Sequence, residues 1–437
     1  MKLTVARAPH LRRAGLVITV ATLGAIALAT LMPEPGVAVG SHFCLVCGSL
    51  GGVNAVLNVF LFVPLGIGLA LTGFPGKRAV IAMCALSALI ETAQFFVIPG
   101  RNSTIGDVLT NTLGGALGFA IGRYAFSLLR PSPRIALALS MGWSAVWLAI
   151  QTIAAFGFSP AIPSSEYYGQ IARRLGNFEQ FRGGVVRASI ADVMVPDTRF
   201  PDSRRVRELL LRGAIVTTTI VPAGPTRDIA PIVRVADARQ REIVLLAQDA
   251  ENLIFGVRTG AGVLRLRPPF FAVADVFPAV SPGNSGLTTD ALTVGARYSA
   301  REVSVNTQTV RASYDRRIPI TASLGWTMLL PFQWYIEGTS TELVLSAIWI
   351  ACLLLPFGYW GAGMTRLSRG RDATRIRMTA VPVALVLLYV GLVVVPHVFG
   401  VTAAPPSDWL AALTGILLGG ALAPRVSPRD TKVVHTD

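Results

Sequence analysis

The chain has 437 residues, of which 52% are hydrophobic and only 14% charged, and it carries a formal net charge of +15. That balance excludes a disordered chain, which needs low hydrophobicity and high charge to remain unfolded. The excess of cations lies at the ends of long apolar runs rather than along one basic face, which excludes a nucleic-acid-binding reading and points to the flanks of membrane helices.

In chain order, apolar runs cover residues 14–33, 53–72, 79–98, 105–127 and 135–157. Three more cover 341–360, 378–396 and 407–422, the last being the shortest. At 1.5 Å per residue, about twenty residues of helix cross a hydrocarbon core roughly 30 Å thick. Cations fall in five clusters: Lys2, Arg7, Arg12 and Arg13; Lys77 and Arg78; Arg123, Arg130 and Arg134; Arg366, Arg369, Arg371, Arg375 and Arg377; and Arg425, Arg429 and Lys432. Eight crossings with both termini cytoplasmic put all five on the cytoplasmic side, as the bias of Lys and Arg requires. The first run also has the basic start and apolar middle of a signal peptide, without a clean small-x-small site behind it. Cys44 and Cys47 fall in the first outer loop and are expected as a disulfide or as free thiols rather than a metal site, since His42 is the only histidine nearby. His10, His42, His397 and His435 are scattered through loops and tails. Nothing in the sequence calls for a metal or a cofactor.

Residues 165–317 differ from the rest, with 15 acidic residues, 21 Arg and no run near twenty. "GGVVRASI", "GAIVTTTIVPA", "PIVRVAD", "REIVLLAQ", "NLIFGVRTG", "REVSVNT" and "QTVRASYD" alternate with period two and are broken by Gly, Pro and Asp, which predicts antiparallel strands. So many short strands predict a β-sandwich, and the topology puts it outside. "DSRRVRELLLRG" (202–213) reads as a surface helix or bent strand edge with a solvated basic face. Residues 318–340 form an interfacial or re-entrant connector, because a crossing there would move the 366–377 cations outside; Trp326, Trp334 and Tyr335 suit a membrane boundary.

The last three runs echo the second, third and fourth: "FLFVPLGIGLA" is matched by "CLLLPFGYWGA", and "DVLTNTLGGALG" by "DWLAALTGILLGGALA", aligning Asp107 with Asp408 and Gly114 with Gly415. The expected fold class is therefore an α-helical polytopic membrane protein of about eight transmembrane helices in two four-helix repeats, with an inserted all-β, jelly-roll-like sandwich. Residues 1–134 form the first repeat, 135–160 open the second, 341–423 complete it and 424–437 form a cytoplasmic tail.

Polar residues then stand out against the apolar background. On the third helix Ser87, Glu91 and Gln94 share one stripe; on the fourth, Asp107, Asn111, Gly114 and Gly118 do so; on the second, Asn54 and Asn58 stack. The topology puts all of them in the outer half of the membrane, beneath a loop holding Arg101. An ionisable side chain in lipid costs about 3 kcal/mol or more unless it meets partners inside the protein. Two readings stay open: a polar knot gluing helices together, or a pocket for a polar headgroup, with Asn58, Glu91, Gln94, Arg101, Asp107 and Asn111 as ligand-binding residues. No nucleophile, metal triad or phosphate loop accompanies them; if the protein is an enzyme, Glu91 and Asp107 are the acid and base. The second repeat keeps only Asp408, with Ala412 opposite Asn111, and reads as scaffold.

"NVFLFVPLGIGLAL" (58–71), "ALIETAQFF" (88–96) and "RNSTIGDVLTNTLGGALG" (101–118) resemble the VanZ-like family of bacterial membrane proteins. The resemblance implies a cell-envelope protein, with some members linked to resistance to glycopeptides such as teicoplanin. The strand region, mainly "PIVRVADARQREIVLLAQDAENLIFGVRTG" (231–260), is similar to concanavalin A-like or laminin-G-like domains, which commonly bind sugars or proteins. The Glu-x-Asp-x-Glu pattern of their glycosidase members does not occur here, so a glycan binder or a spacer is expected. The partners implied are membrane lipid and a lipid-linked glycan or cell-wall polymer.

Overall fold

The computed structural model describes residues 9–33, 45–98, 103–176, 178–277, 291–309, 313–367 and 371–423, and for 365–367 and 371–379 the backbone alone. The expectations for Lys2, Arg7, His42, Cys44, Arg101, Arg369 and the tail 424–437 lie outside these residues. Cys47 is disulfide-bonded, whereas Cys84 and Cys352 are free. The chain forms two compact units, one of residues 1–141, 358–379 and 419–437, the other of 142–357 and 380–418.

In the first unit the apolar runs become α1 (Pro9–Leu31), α2 (Gly51–Leu71), α3 (Gly76–Phe96) and α4 (Ile105–Arg123), followed by a single turn, α5 (Ala125–Leu129), and the start of α6 (Pro133–Phe158). Helix α2 ends where Gly73 takes a φ of +83°, a conformation that stops a helix cheaply only without a Cβ. Ile26, Phe62, Leu65, Ala79, Met83 and Ile90 form the buried apolar core of the bundle. Helices α2 and α4 run side by side in parallel. Gly114 lies on the carbonyl of Val59, Gly118 on that of Val63, and Gly122 on Ile67, so a Cβ at Gly114 or Gly118 would strike α2 backbone. Gly66 of α2 answers by lying on the carbonyl of Gly115. Small residues at a four-residue interval let two helices touch where lipid supplies no hydrophobic drive between them.

Among the described residues, six helices are long and apolar enough to cross a membrane by length and composition. The other two expected runs are α4, whose 19 residues include Asp107, Thr110, Asn111 and Thr112, and α12 (Pro406–Leu422), which has 17. Both nonetheless turn an apolar stripe outward: Leu109, Leu113, Leu117 and Ile121 on α4, and Leu410, Leu413, Leu417 and Leu418 on α12, are all exposed.

The second unit holds the β domain and most of the second bundle. One sheet has the order β1 (Tyr167–Ile171), β5 (Ala230–Asp237), β6 (Glu242–Asp249), β7 (Asn252–Val257), β8 (Phe270–Val273), β12 (Tyr335–Ile336). The other runs β11 (Ser313–Pro319), β10 (Glu302–Gln308), β9 (Leu292–Tyr298), β4 (Ile215–Val221), β2 (Gly184–Ile190), β3 (Val193–Met194). Every pairing is antiparallel except β8 with β12. The inner faces of the sheets meet at Phe271 and Tyr298, whose rings stack edge to face at 5.9 Å. Strands β1, β8 and β12 carry no clear alternation in sequence, whereas β9, not among the stretches read as strands, does alternate, with Leu292, Val294, Ala296 and Tyr298 buried. Along β5, β6 and β7 almost every residue is buried; Leu245, Ala247, Ile254 and Ala272 form a second apolar cluster against which Ile229, Phe270 and Tyr335 pack. The basic stretch forms α7 (Ser203–Leu211), capped by the Asp202 carboxylate on the Arg205 N–H, and a further turn is α8 (Gly260–Val263). Exposed pairs Arg204–Glu208 and Arg205–Asp192 solvate its charged face.

The connector after β11 is an eight-residue 3-10 helix, Ala322–Leu329, at about 2 Å per residue far too short to cross. It leads through β12 to α9 (Ser340–Leu367), α10 (Arg371–Tyr389), a π-helical turn at Val390–Val394, α11 (Val395–Val398) and α12. The β domain is tied to this bundle by the Tyr298 hydroxyl on the Phe158 carbonyl (2.6 Å), the Ser159 hydroxyl on the Phe399 carbonyl (2.9 Å) and the Thr402 hydroxyl on the Arg301 carbonyl (2.7 Å). Gly415 of α12 lies on the carbonyl of Ala351 in α9, as Gly114 lies on Val59, and the proline alignment of the two repeats pairs Ala351 with Val59.

Two outcomes follow from these contacts. Gly118→Val should cost at least about 1–3 kcal/mol through overpacking, read as a lowered melting temperature and reduced yield in detergent, whereas Leu117→Val on the exposed stripe should be near neutral. In the β5–β6 turn, Asp237 is fully buried and accepts the Arg241 guanidinium (2.7 Å) and the backbone N–H groups of Arg239 and Arg241. Burial pushes its carboxyl up, but those donors outweigh burial and hold it below the usual carboxylate range. A depressed folded value means stability that is present above about pH 4 and lost as pH falls through the folded value. Asp237→Asn should therefore lower the melting temperature at neutral pH, by about 1–3 kcal/mol, and the gap to wild type should close on acidification.

Candidate functional site

The residues that interrupt the first bundle's apolar pattern come together. Asn58 of α2 donates its amide to Asp107 Oδ1 at 2.6 Å. The Thr104 hydroxyl donates to Asp107 Oδ2 at 2.9 Å and accepts the Asp107 backbone N–H at 3.0 Å, capping α4. The Thr104 backbone N–H donates to Glu91 Oε2 at 2.7 Å, with Ser103 adding a side-chain hydrogen bond to the same carboxylate. One turn deeper, the Asn111 amide donates to the buried Ser87 hydroxyl at 2.9 Å. Three helices thus share one polar cluster, with Glu91 and Asn111 buried and Asn58 and Asp107 half-buried at its rim.

The reason is local. A helix start leaves backbone N–H groups without partners, and a Thr-x-x-Asp sequence supplies acceptors for them. Here residues 104–107 spell that capping sequence, and the Thr104 hydroxyl takes the Asp107 N–H; the Thr104 N–H goes to Glu91 instead of closing the box on Asp107, whose carboxylate accepts the Thr104 hydroxyl and the Asn58 amide. Thr104 was not among the residues singled out from the sequence, although the capping box was there to read. It is the hub: among the described residues, it hydrogen-bonds both carboxylates.

Of the expected ligand-binding residues, Asn58, Glu91, Asp107 and Asn111 converge. Gln94 turns away to donate to the Thr30 carbonyl at 2.8 Å, tying α3 to α1. Asn54 is exposed and takes no part in the cluster. Arg101 lies outside the described residues. Asn111 Oδ1 is buried without a hydrogen-bond partner, an acceptor left open inside the bundle. Among the described residues no group of three His, Cys, Asp or Glu side chains could hold a metal ion. What the cluster offers chemically is acceptors: two carboxylates and an amide oxygen, suited to hydroxyl or amine donors.

In the second bundle the positions equivalent to Asn58 and Asn111 are apolar, although Gln151 and Asp408 are also buried there. Trp147, Ile350, Leu388, Leu392 and Ala412 pack into one buried cluster. Ile350 stands where the first bundle has Asn58, and Ala412 where it has Asn111.

Six apolar helices of spanning length and a two-sheet β domain define the class, a membrane protein of several helices carrying a β-rich region. Within that class, residues 19–128 match the family model described as VanZ/LLP1, so the first bundle, with every residue of the polar cluster, is similar to that family. No curated protein and no solved structure matches the chain.

Thr104→Ala should remove the helix cap and the hydroxyl bond to Asp107 while leaving the backbone N–H on Glu91, costing about 1 kcal/mol or more. Thr104→Ser should restore most of the loss, both read from melting of the detergent-purified protein.

Proposed function

We propose that the chain is a VanZ-like integral membrane protein of the bacterial cell envelope that binds a lipid-linked or glycan headgroup at the cluster of Asn58, Glu91, Asp107 and Asn111. The observation that carries this reading is the convergence of buried hydrogen-bond acceptors, one of them unpartnered, on a family-matched bundle. Hydroxyl and amine donors are abundant on such headgroups, and Arg101, on the loop before α4, would meet the phosphate. Eight crossings follow if α4 and α12 span alongside α2 and α9; five then precede the β domain and three follow it. That puts both termini in the cytoplasm and residues 165–317 outside, in a concanavalin A-like role of holding a glycan or cell-wall polymer. Binding of a lipid-linked cell-wall precursor, or of the lipid part of an antibiotic, would account for a contribution to glycopeptide resistance of the teicoplanin type.

Two other readings have an observation of their own. An enzyme acting on a lipid-linked glycan, with Glu91 and Asp107 as acid and base, is favoured by the contact of both carboxylates with Thr104. A structural, envelope-assembly role is favoured by the two Asp107 oxygens, each already bonded within the bundle.

Glu91→Ala, Asp107→Ala and Arg101→Ala separate them. For a binding site, mass spectrometry of the purified variants should show loss of a lipid that accompanies the wild type, with abundance and melting unchanged. Loss of abundance with unchanged lipid content would return the cluster to a structural knot. Turnover of a purified lipid-linked glycan, abolished by Glu91→Gln, would establish the enzyme.

A further inference from the structure

Asp408 is the one acidic residue the second repeat retains at the position of Asp107, and its surroundings differ in kind. Both oxygens of Asp107 are occupied, by Asn58 and by Thr104. The aligned positions around Asp408 hold Ile350 and Pro405, neither of which has a side-chain donor. Only 2% of Asp408 is exposed; the Ser323 hydroxyl supports its carboxyl, and Oδ2 is buried with no hydrogen-bond partner. A buried acceptor is costly to leave unmatched.

That carboxylate lines a cavity of about 210 Å³ in the second unit, enclosed by the 3-10 helix, the start of α9 and the loop 402–405. The walls are mainly apolar, with Ile318, Leu324 and Ile336 among them, and hydroxyls of Thr321 and Ser323 lie beside Asp408. A second carboxylate, Glu342, also lines it but is saturated: it accepts the backbone N–H groups of Glu337 (2.9 Å), Gly338 (2.8 Å) and Thr339 (3.2 Å) and the Trp334 indole (3.3 Å). Among the described lining residues there is no Lys, Arg or His. The cavity is small beside drug-sized sites of about 300–1,000 Å³, so its occupant has only a few heavy atoms.

We infer that this cavity binds a small primary ammonium group, with Asp408 Oδ2 accepting one N–H and the Thr321–Ser323 hydroxyls accepting others. A neutral donor would fill the vacant hydrogen bond but leave the buried charge uncompensated, whereas an ammonium satisfies both. The ammonium arrives either as a free amine or as the headgroup of an amine-bearing lipid. The site is independent of the Glu91–Asp107 cluster, so either reading can fail without the other.

The test uses full-length protein in phosphatidylglycerol nanodiscs, with thermal melting followed during titration with ethanolamine and with ethylene glycol as its neutral counterpart. The expected result is a saturable rise in melting temperature with ethanolamine alone. Asp408→Asn, which keeps the shape of the side chain, should weaken the response at least about tenfold. Ala403→Leu, which narrows the cavity and leaves the carboxylate in place, should do the same, and it decides the matter alone if Asp408→Asn fails to accumulate. Replacing phosphatidylglycerol with phosphatidylethanolamine distinguishes the sources. A raised melting temperature that no longer responds to soluble ethanolamine identifies the lipid headgroup, whereas an undiminished response identifies a free amine. The inference is overturned by no saturable shift with either source, by equal responses to ethanolamine and ethylene glycol, or by variants that respond like the wild type.

Discussion

A polar group taken out of water must find a partner within the fold, and in a bundle of apolar helices only neighbouring helices can supply one. The first bundle is organised around that constraint. Its carboxylates are not spread along the helices but gathered where Thr104 can serve both, and the start of α4, with the N–H groups any helix start leaves unpaired, is brought to the same place. The glycines of α4 follow from this: Asn58 reaches Asp107 only because Gly114 and Gly118 let α4 lie directly on α2. Helix packing and polar chemistry thus meet in one arrangement.

The two bundles are the same device carried to different ends. Both place a helix-start carboxylate beside a close glycine contact, Gly114 on Val59 and Gly415 on Ala351. The first surrounds its carboxylate with donors; the second fills the equivalent interior with Trp147, Ile350 and Leu388 and leaves Asp408 with an oxygen unspent at the edge of a cavity. The difference matters for function because the β domain is bonded directly to that second bundle through Tyr298, Ser159 and Thr402. Occupation of the cavity would therefore be felt by both the strand connector and the helices that meet there.

Most of the helices could be read from the chain, since a run of about twenty apolar residues has few other uses. The polar stripe of Ser87, Glu91, Asp107 and Asn111 could be read as well, because i, i+4 spacing puts residues on one face whatever surrounds the helix. Central strands β4, β6 and β7 announced themselves by β-branched runs between turn residues, whereas 202–213 was legible only as a helix or a bent strand edge and the Asp202 cap decides for the helix. Strands β1, β8 and β12 did not: they are held by neighbours distant in sequence, and their own residues carry no period. The connector 318–340 likewise takes its form from partners, contributing two residues to a sheet and a short helix to a cavity wall.

Local pattern, then, dictated roughly where helices lie, which residues are polar within them, and that a strand-rich region interrupts the apolar runs. Pairing was another matter. That Gln94 serves α1 rather than the cluster, that Asn54 stays out, that Thr104 is the hub and that Asp408 lacks the partners of its counterpart all depend on which groups lie within about 3 Å once the helices are packed. Spacing along a chain specifies a face, but only the packed neighbours specify who answers it, and a buried acceptor is defined by that answer.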